Sequence, residues 1–327
     1  MSDLRAPRRL AKGDLIAVVT PSSPAQESIA AWELSLEALE RHGYRVELGP
    51  NANRRHGFVA GTPQERAADL QWALAHPEAA MVWCGRGGHG AAQLYPHMDW
   101  DALRGVPPKI VQGFSDITCV HLMVQRELGW ATFYGANLLA LGDVHQFLSE
   151  TGSEWCFRVI EDATEPVGAY PDMADRIGGV WRVAGEGAVE APVVGGCLWL
   201  LAHSIGTPWE LDARGCILLI EDLEEEPYTI DSELTQLRLA GKLEGVVGIV
   251  FGEPVGIEPA RWDPDGYDQT LFLDDVLRDR LGDLGIPVLK GFPLGHGRDI
   301  LTVPLGRRAR LDADARTFEV LEPGVAA

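Results

Sequence analysis

The chain has 327 residues, 46% of them hydrophobic, which is enough for one large or two ordinary domains. It carries 28 basic and 48 acidic residues, a formal net charge of −20, and so lacks the basic face expected of a nucleic-acid-binding protein. Its five cysteines are widely spaced and form no CxxC pair, so neither a zinc knuckle nor a disulfide framework is indicated. We expect each cysteine to be a small buried residue in a reducing compartment.

Hydrophobic runs in the chain are short. Residues 1–12 are basic, but no apolar run of signal-peptide type follows them. No stretch approaches the ~20 apolar residues that a membrane span needs. We therefore expect a soluble, cytoplasmic protein.

Strands and helices alternate through the first part of the chain. Strands are predicted at 15–19, 45–48, 79–83 and 109–112, and helices at 30–42, 63–75, 91–95 and 117–128. Such alternation implies right-handed crossovers and a parallel sheet, with functional residues at the carboxyl ends of the strands.

The alternation fades after about Leu141. Residues 149–190 are rich in glycine and proline and are predicted to connect two units by short strands. Further on, the predicted elements are strands at 216–220, 246–251 and 287–289, a helix at 232–240 and an edge hairpin at 309–321.

The segment Lys109–Thr118 has the layout of a nucleophile elbow, a sharp strand-to-helix turn that exposes one hydroxyl. A short apolar strand runs into Gly113, Ser115 follows, and a helix begins with Asp116. In such a turn the backbone of the serine is strained, and the amide after it points at the site of attack. The alternative is that Ser115 is a helix N-cap and Asp116 a helix-start acid.

A nucleophilic serine needs a base and an orienting acid. Of the nine histidines, His89 and His296 lie in glycine-rich turns. His296 is the candidate base because its loop follows a predicted strand, and a plain turn histidine is the alternative. Glu221 ends an apolar strand, where a buried carboxylate needs a partner such as a histidine N–H, and the neighbouring Asp222 is the competing acid.

The glycine-rich turn at 85–90 is a second candidate site. It lacks the Lys-Ser/Thr of a P-loop and the spacing of a dinucleotide-binding fingerprint. The backbone amides of Gly87 or Gly88 would suit an oxyanion hole, with the amide of Asp116 as the other donor. A purely structural tight turn is the alternative.

Together these segments resemble the LD-carboxypeptidase and microcin-immunity serine peptidases, and the likeness covers most of the chain. The motifs that carry it are Lys12–Asp14 with Thr20–Pro24, Arg86–Gly90, Gly113–Thr118, Leu218–Asp222 with Ile230–Asp231 and Leu234–Gly241, and Pro293–Gly297 with Leu301–Gly306. The fourth block is the most specific.

This resemblance implies that Ser115 is the nucleophile, that His296 is the general base and acid, and that Glu221 orients His296. It implies an oxyanion hole made by the amides of Asp116 and of Gly87 or Gly88, and it implies no metal and no cofactor.

The resemblance also implies the domain organisation. A flavodoxin-like parallel-sheet domain, 1–148, would carry the nucleophile, and a smaller β-rich domain, 191–327, would carry the acid and the base. Residues 149–190 would connect them, and the triad would assemble across a cleft. Family members are usually cytoplasmic homodimers.

The resemblance predicts a serine carboxypeptidase that hydrolyses a terminal L,D-amide bond, releasing D-alanine from cell-wall tetrapeptides. Arg86 is then a candidate for binding the substrate carboxylate through its guanidinium fork; the alternative is that it pairs with an internal acid and braces the turn. Segment 235–241 is closer to this muropeptide branch. Two departures leave the substrate open: Cys197 replaces a common asparagine, and 133–137 differs from the usual His-Gly-Pro.

Two other functions are alternatives. A microcin-immunity amidase would cleave the amide between an acidic residue and a nucleotide-like group. An aromatic clamp for adenine would favour it, with Trp181, Trp199 and Trp209 as candidates and core packing as the alternative. A protein of another class would bind a small molecule on the same scaffold without catalysis.

Overall fold

The fold is described from a computed structural model, over residues 4–142, 148–172, 179–259 and 270–327. The chain forms two compact units. The first unit contains residues up to 167 together with 298–307 and 322–327, and the second contains 168–297 and 308–321. Strands and helices are numbered along the whole chain.

The first unit is built on a six-stranded sheet. Its strands are β1 (Leu15–Val19), β2 (Arg45–Leu48), β3 (Ala79–Cys84), β4 (Ile110–Gly113), β5 (Thr132–Tyr134) and β12 (Val303–Leu305). Its α-helices are α1 (Ile29–Arg41), α2 (Pro63–Ala75), α3 (Trp100–Leu103), α4 (Thr118–Leu128) and α5 (Glu150–Glu161). Short 3₁₀ turns lie at Ala25–Ser28, Ala91–His97, Ser115–Ile117 and Leu138–Leu141.

The strand order is β12-β5-β4-β3-β1-β2, with β1 to β5 parallel and β12 antiparallel to β5. The order 2-1-3-4-5 is that of flavodoxin-like folds, so the predicted fold class is confirmed. Strands β1, β3 and β4 are buried along their whole length, which matches their continuous apolar runs. The turns after these three strands therefore meet at one edge of the sheet.

The second unit is built on an eight-stranded mixed sheet. Its strands are β6 (Gly168–Ala169), β7 (Trp181–Ala184), β8 (Ala188–Cys197), β9 (Ile217–Glu221), β10 (Gly248–Gly252), β11 (Val288–Phe292), β13 (Arg308–Asp312) and β14 (Thr317–Val320). Its helices are α6 (Leu198–His203), α7 (Pro227–Leu239) and α8 (Leu273–Leu281), with a 3₁₀ turn at Gly282–Leu284.

The strand order is β6-β14-β13-β8-β9-β10-β11-β7, and β8 to β11 form its parallel centre. The central strands β9 and β10 are fully buried. Their carboxyl ends carry Glu221 and Gly252, next to the loop that follows β11.

The structure differs from the sequence prediction around the segment that was expected to connect the units. Residues 149–190 contain α5, which belongs to the first unit, with Ser149 as its N-cap and Cys156, Phe157, Val159 and Ile160 on its buried face. Glycine and polar residues inside α5 obscure its periodicity in the sequence. The late strand β12 also returns to the first sheet, because its pairing with β5 joins residues that are far apart in the chain.

All five cysteines are buried thiols. Over the described ranges, no helix combines the length and apolar character needed to cross a bilayer.

Candidate active site

Ser115 lies in the sharp turn between β4 and α4, and its backbone is left-handed, with φ of 64°. A non-glycine residue in this region stores strain, of order 1–3 kcal/mol, and such strain collects at functional sites. The strained turn that the sequence predicts is confirmed. The N-cap alternative is wrong, because Phe114 and Ile117 hold the cap positions of the two helical segments.

Residues of the neighbouring strand β5 and the loop after it hold the elbow from one side. The backbone N–H of Ser115 donates to the Tyr134 hydroxyl at 3.2 Å, and that of Phe114 donates to Asn137 Oδ1 at 3.2 Å. From α4, His121 Nε2 lies 2.9 Å from the carbonyl oxygen of Gly113. Burial lowers the pKa of His121 to about 4, so the ring is neutral and donates this hydrogen bond.

The turn after β3 lies directly against the elbow. A Cβ atom added to Gly87 would lie 2.9 Å from Ser115 Cβ and 3.3 Å from Ser115 Oγ, so only a residue without a side chain permits this approach. Gly88 has φ of +109°, and a Cβ there would lie 2.2 Å from Ser23 Oγ. Two of the predicted oxyanion residues are therefore glycines for a steric reason, and Gly87 touches the serine.

The Asp116 side chain joins three segments of the first unit. Its Oδ2 accepts hydrogen bonds from Ser22 Oγ at 2.7 Å and from the backbone N–H of Ala91 at 2.8 Å. The side chain is 3% exposed, and burial raises the pKa of Asp116 although both hydrogen bonds oppose the rise. The carboxylate thus ties the loop after β1 and the turn after β3 to the elbow.

A buried arginine braces the same turn. Arg66 on α2 donates to the carbonyl oxygens of Gly61 at 3.1 Å and Gly90 at 2.8 Å. Arg86 and His89, the two residues of this turn that the sequence analysis singled out, are more exposed to solvent than Arg66. Arg86 is partly buried, with Nη1 at 3.4 Å from the carbonyl oxygen of Pro24, and His89 is exposed, with its ring against Phe58.

In the second unit, the His296 ring meets the Glu221 carboxylate. His296 Nδ1 lies 2.7 Å from Glu221 Oε2, and the Glu221 side chain is fully buried. Burial lowers the pKa of His296, but the charge of Glu221 and its hydrogen bond outweigh this effect, so the pKa is raised above its ordinary value. Asp222 and Glu224 contribute in the same direction.

Two glycines make room for the Glu221 carboxylate. A Cβ at Gly295, whose φ is +84°, would lie 2.2 Å from Glu221 Oε2. A Cβ at Gly252, at the end of β10, would lie 2.9 Å from Glu221 Cβ. The glycine before His296 is therefore required by the contact that the histidine makes.

Asp222, the competing acid, has different partners. Its Oδ2 accepts from the Trp199 N–H at 2.9 Å and its Oδ1 accepts from the Leu223 N–H at 3.0 Å. Burial and the charge of Glu221 raise the pKa of Asp222 to about 6. Glu221 is the carboxylate that contacts His296, and Asp222 holds the start of α6.

A third buried acid lies beside this pair. Glu233 on α7 is 5% exposed, and within the described part of the chain neither of its carboxyl oxygens has a hydrogen-bond partner. Burial, with smaller contributions from Asp222 and Glu225, raises the pKa of Glu233 to about 8. Its periodic position in an amphipathic helix gives no sign of this in the sequence.

The three tryptophans proposed as a nucleotide clamp differ in exposure. Trp209 is 5% exposed, so it belongs to the core. Trp199 stacks on His203 with ring centroids 4.0 Å apart. Trp181 is 55% exposed on the edge strand β7.

Each unit thus gathers part of the predicted site. Ser115, Asp116 and Gly87 come together in the first unit, and Glu221 and His296 come together in the second. Sequence reasoning missed the supporting roles of Tyr134, Asn137 and Arg66. The first two lie in segment 133–137, whose departure from the usual His-Gly-Pro was the available signal. In the described ranges, no set of three or more His, Cys, Asp and Glu side chains is arranged to hold a metal ion.

Comparison with known proteins decides the family. Residues 16–135 match the LD-carboxypeptidase N-terminal domain, and residues 190–311 match the LD-carboxypeptidase C-terminal domain. A putative carboxypeptidase of Streptomyces coelicolor is 37% identical over 329 residues, covering 99% of both chains. The chain belongs to the LD-carboxypeptidase family. It is a serine peptidase, as the resemblance predicted.

Other proteins that the chain resembles are named as murein peptide carboxypeptidases or as MccF. A probable murein peptide carboxypeptidase of Bacillus subtilis is 34% identical, over 98% of this chain and 95% of its own. The solved structure of MccF in complex with glutamyl sulfamoyl guanosine superposes with a TM-score of 0.85 at 26% identity, over 98% of this chain and 99% of that one. The muramoyltetrapeptide carboxypeptidase from Oxalobacter formigenes gives a TM-score of 0.80 at 25% identity, over 96% and 100%.

Proposed function

We propose that this protein is a cytoplasmic serine carboxypeptidase that hydrolyses the terminal L,D-amide bond of cell-wall tetrapeptides and releases D-alanine. The observation that carries the proposal is the left-handed Ser115 at the end of β4, in contact with Gly87. A hydroxyl held in this way is the feature that distinguishes a nucleophile elbow from an ordinary helix start. The buried contact between Glu221 and His296 supplies the proposed base and the acid that orients it.

In the proposed mechanism, His296 Nε2 takes the proton of Ser115 Oγ as the oxygen attacks the scissile carbonyl carbon. The C–O bond forms, and the carbonyl π electrons move to the oxygen as an oxyanion. The amides of Asp116 and of Gly87 or Gly88 donate to that oxyanion. Among the described residues, no backbone carbonyl accepts a hydrogen bond from the Gly87 or Gly88 amide.

The tetrahedral intermediate collapses as the imidazolium gives its proton to the departing amine, which leaves as free D-alanine. Water then attacks the acyl-serine with His296 again as base, and the acid product and Ser115 Oγ–H are restored. Glu221 keeps Nδ1 protonated and stabilises the positive charge on the ring. No step uses a metal or a cofactor.

A second candidate function is the cleavage of aminoacyl-nucleotide conjugates. Relatives of the chain include the microcin C7 self-immunity protein MccF of Escherichia coli, 27% identical over 96% of this chain. The exposed indole of Trp181 is the observation that favours it, because an exposed aromatic face can stack on a purine.

One experiment separates these functions from each other and from a non-catalytic binder. The protein is incubated with a murein tetrapeptide and with an aminoacyl-sulfamoyl adenylate, and the products are read by mass spectrometry. We expect release of D-alanine from the tetrapeptide. Cleavage of the conjugate alone, reduced in Trp181→Ala, would replace the first proposal with the second, and no product from either substrate would favour a binder.

The Ser115→Ala variant is the matched control for that experiment. We expect turnover to fall by roughly 10⁴- to 10⁶-fold, because the serine and its base act as one unit. Ser115→Ala removes one oxygen and keeps the Cβ atom and the backbone of the turn, so the fold should stay intact and the melting temperature should change little. Turnover above a few per cent in a normally folded Ser115→Ala protein would end the serine mechanism.

We also propose that the protein is a homodimer, as the family resemblance implies. The active-site proposal does not depend on this state.

A further inference from the structure

A basic loop of the first unit, residues 53–58, presents an aromatic ring to solvent. It lies between β2 and α2, every residue in it is exposed, and the Phe58 side chain is 68% exposed. The connecting segment 49–62 contains no acidic residue. Its basic residues are Arg54, Arg55 and His56. In a chain whose net charge is −20, this loop is a local exception to the acidic surface.

Backbone contacts hold the basic loop in a defined conformation. The N–H of His56 donates to the carbonyl oxygen of Val59 at 2.8 Å, and the N–H of Val59 donates back at 3.2 Å, which closes a tight turn around Gly57. Arg55 Nε donates to the carbonyl oxygen of Gly57 at 3.2 Å. The Phe58 ring is therefore presented to solvent at a fixed place.

The basic loop lies against the turn that follows β3. The Phe58 ring meets the His89 ring edge to face, with centroids 6.3 Å apart. A Cβ atom added to Gly90 would lie 2.9 Å from Val59 Cγ1, so the two backbones approach closely. The same turn contains Gly87, which touches the proposed nucleophile. The basic loop thus continues the surface that begins beside the serine.

We infer that Arg54, Arg55 and Phe58, with His89, form a binding site for the acyl portion of the substrate, and that this portion carries a carboxylate. The inference rests on the proposed hydrolysis and adds the chemistry of the part that stays on the serine. The leaving group is a single residue, and consecutive Cα atoms lie about 3.8 Å apart, so it ends close to the nucleophile. The longer acyl portion is the part that reaches the Phe58 end of this surface.

The side chains of the basic loop suit an acidic peptide. A carboxylate accepts charge-assisted hydrogen bonds from a guanidinium group, and Arg54 and Arg55 provide two such groups side by side. The Phe58 ring can cover the methylene groups next to that carboxylate. Because the whole protein is strongly acidic, it repels an acidic peptide at long range, and a local basic surface offsets this repulsion.

One acidic side chain of α2 lies near the basic loop. Glu65 Oε2 accepts from the backbone N–H of Thr62 at 2.9 Å and from its hydroxyl at 3.1 Å. These two hydrogen bonds are the main reason that the pKa of Glu65 is lowered, and the charges of Arg54 and His56 add to the effect. Over the described part of the chain, neither Arg54 nor Arg55 forms an ion pair with a carboxylate. Both arginines can therefore bind a substrate acid.

The first test measures binding by isothermal titration calorimetry in the Ser115→Ala background, which separates binding from turnover. A murein tetrapeptide is compared with the same peptide in which the carboxylates of the acyl portion are amidated and the terminal one is free. Adding Arg54→Gln and Arg55→Gln together should raise Kd for the acidic form by roughly 5- to 30-fold and leave Kd for the amidated form nearly unchanged. Equal changes for both forms, or none, would overturn the inference.

The matched control removes two arginines from the opposite edge of the sheet. Arg41 and Arg126 are exposed in the last turns of α1 and α4. A helix that follows a parallel strand runs back along the sheet, so its last turn lies away from the strand ends that carry the serine. Arg41→Gln with Arg126→Gln should leave both Kd values unchanged. A loss equal to that of the Arg54→Gln and Arg55→Gln protein would reduce the effect to net charge and overturn the site.

Phe58→Ala tests the aromatic part of the site. We expect Kd to rise by roughly 3- to 10-fold for the acidic and the amidated peptide alike, because an apolar contact does not read charge. The melting temperature should not change, since the ring is largely exposed. An unchanged Kd for both peptides would contradict the site as proposed.

Hydrolysis by the proteins that retain Ser115 keeps this inference apart from the proposed function. On the acidic peptide, the Arg54→Gln and Arg55→Gln protein should show a raised KM with kcat nearly unchanged, because the loop binds substrate without touching the reacting atoms. Binding without hydrolysis in the wild type would contradict only the enzymatic proposal. Hydrolysis with an unchanged KM in the variant would contradict only the binding site, and a wild type that does not bind the acidic peptide would also overturn that site.

Discussion

His296 Nδ1 lies 2.7 Å from Glu221 Oε2; Glu221 ends β9, and His296 lies in the loop after β11, two strands away in the sheet. The carboxylate is buried among glycine backbone, so its charge acts on the ring with little screening from water. This contact raises the pKa of His296 and favours the tautomer that leaves Nε2 free of its proton.

The pH dependence of hydrolysis should report this contact. The base must be neutral, so kcat/KM should fall as the pH drops through the raised pKa of His296. In Glu221→Gln the charge is lost, so the acid limb should move to lower pH and the plateau rate should fall. Asp222→Asn is the control and should shift the limb less, because Asp222 accepts hydrogen bonds from backbone amides and its charge raises the pKa of His296 less than that of Glu221 does. An unshifted limb in Glu221→Gln would contradict the orienting role.

The Asp116 carboxylate should position the nucleophile. Asp116→Asn keeps the backbone amide and the shape of the side chain, and its amide oxygen can still accept both hydrogen bonds that Oδ2 accepts, but the negative charge is lost and a buried N–H group replaces Oδ1. We expect a loss of about 1–3 kcal/mol in the free energy of unfolding. We also expect kcat to fall on the order of 10²-fold, because the strained turn shifts.

Asp69→Asn is the matched control for Asp116→Asn. Asp69 is 2% exposed in the same unit and accepts hydrogen bonds from Asn51. It should show a similar stability loss with kcat unchanged. Equal losses of kcat in the two variants would show that Asp116 stabilises the fold without positioning the nucleophile.

Glu233 should make stability depend on pH. Its folded pKa of about 8 lies above the usual value of 4.5, so between these pH values the unfolded chain binds fewer protons than the folded one. The free energy of unfolding therefore falls as the pH rises through this window, by roughly 1.4 kcal/mol per pKa unit. The raised pKa of Asp222, about 6, also makes the free energy of unfolding fall as the pH rises, in the lower part of this pH window.

Glu233→Gln should melt like the wild type near pH 5 and at a higher temperature near pH 8. Thermal melts across this range, with the partly exposed Glu225→Gln as control, measure the effect. Parallel melting curves of wild type and Glu233→Gln at all pH values would exclude the ionisation of Glu233 as the cause.

Arg86 should recognise the carboxylate of the substrate. Arg86→Lys keeps the charge and removes the guanidinium fork, so we expect kcat/KM on a free-acid peptide to fall by roughly 10- to 100-fold. The same peptide with an amidated terminus is the control, and its turnover should not change. Equal effects on both peptides would indicate that Arg86 only braces its turn.

Much of the central fold follows from local patterns. The alternation of buried strands and helices between residues 15 and 128 predicts the parallel sheet, because a strand covered on both faces needs a continuous apolar run. The signal for the elbow at Ser115 is also local: the strand, the glycine and the helix start within ten residues predict a strained serine, with a helix N-cap as the alternative. Pro63 with the Thr62 and Glu65 capping box sets the start of α2 in the same way.

Other parts depend on contacts that no local pattern contains. Glu221 and Asp222 are neighbours of the same chemical type, and the sequence leaves the choice between them open. Successive side chains in a strand point to opposite faces, so the register of β9 sends Glu221 toward the loop after β11 and Asp222 toward the start of α6. Only the packed sheet distinguishes them.

The sequence by itself determined the alternating strands and helices of residues 15–128, the candidate nucleophile and the short set of polar residues at strand ends, because each depends on neighbours in the chain. The tertiary structure decided which of those residues meet. Asp116 reaches Ser22 across 94 positions, and β12 joins β5 from the far end of the chain. Such contacts are determined by strand order and register, which arise from the packing of the whole unit.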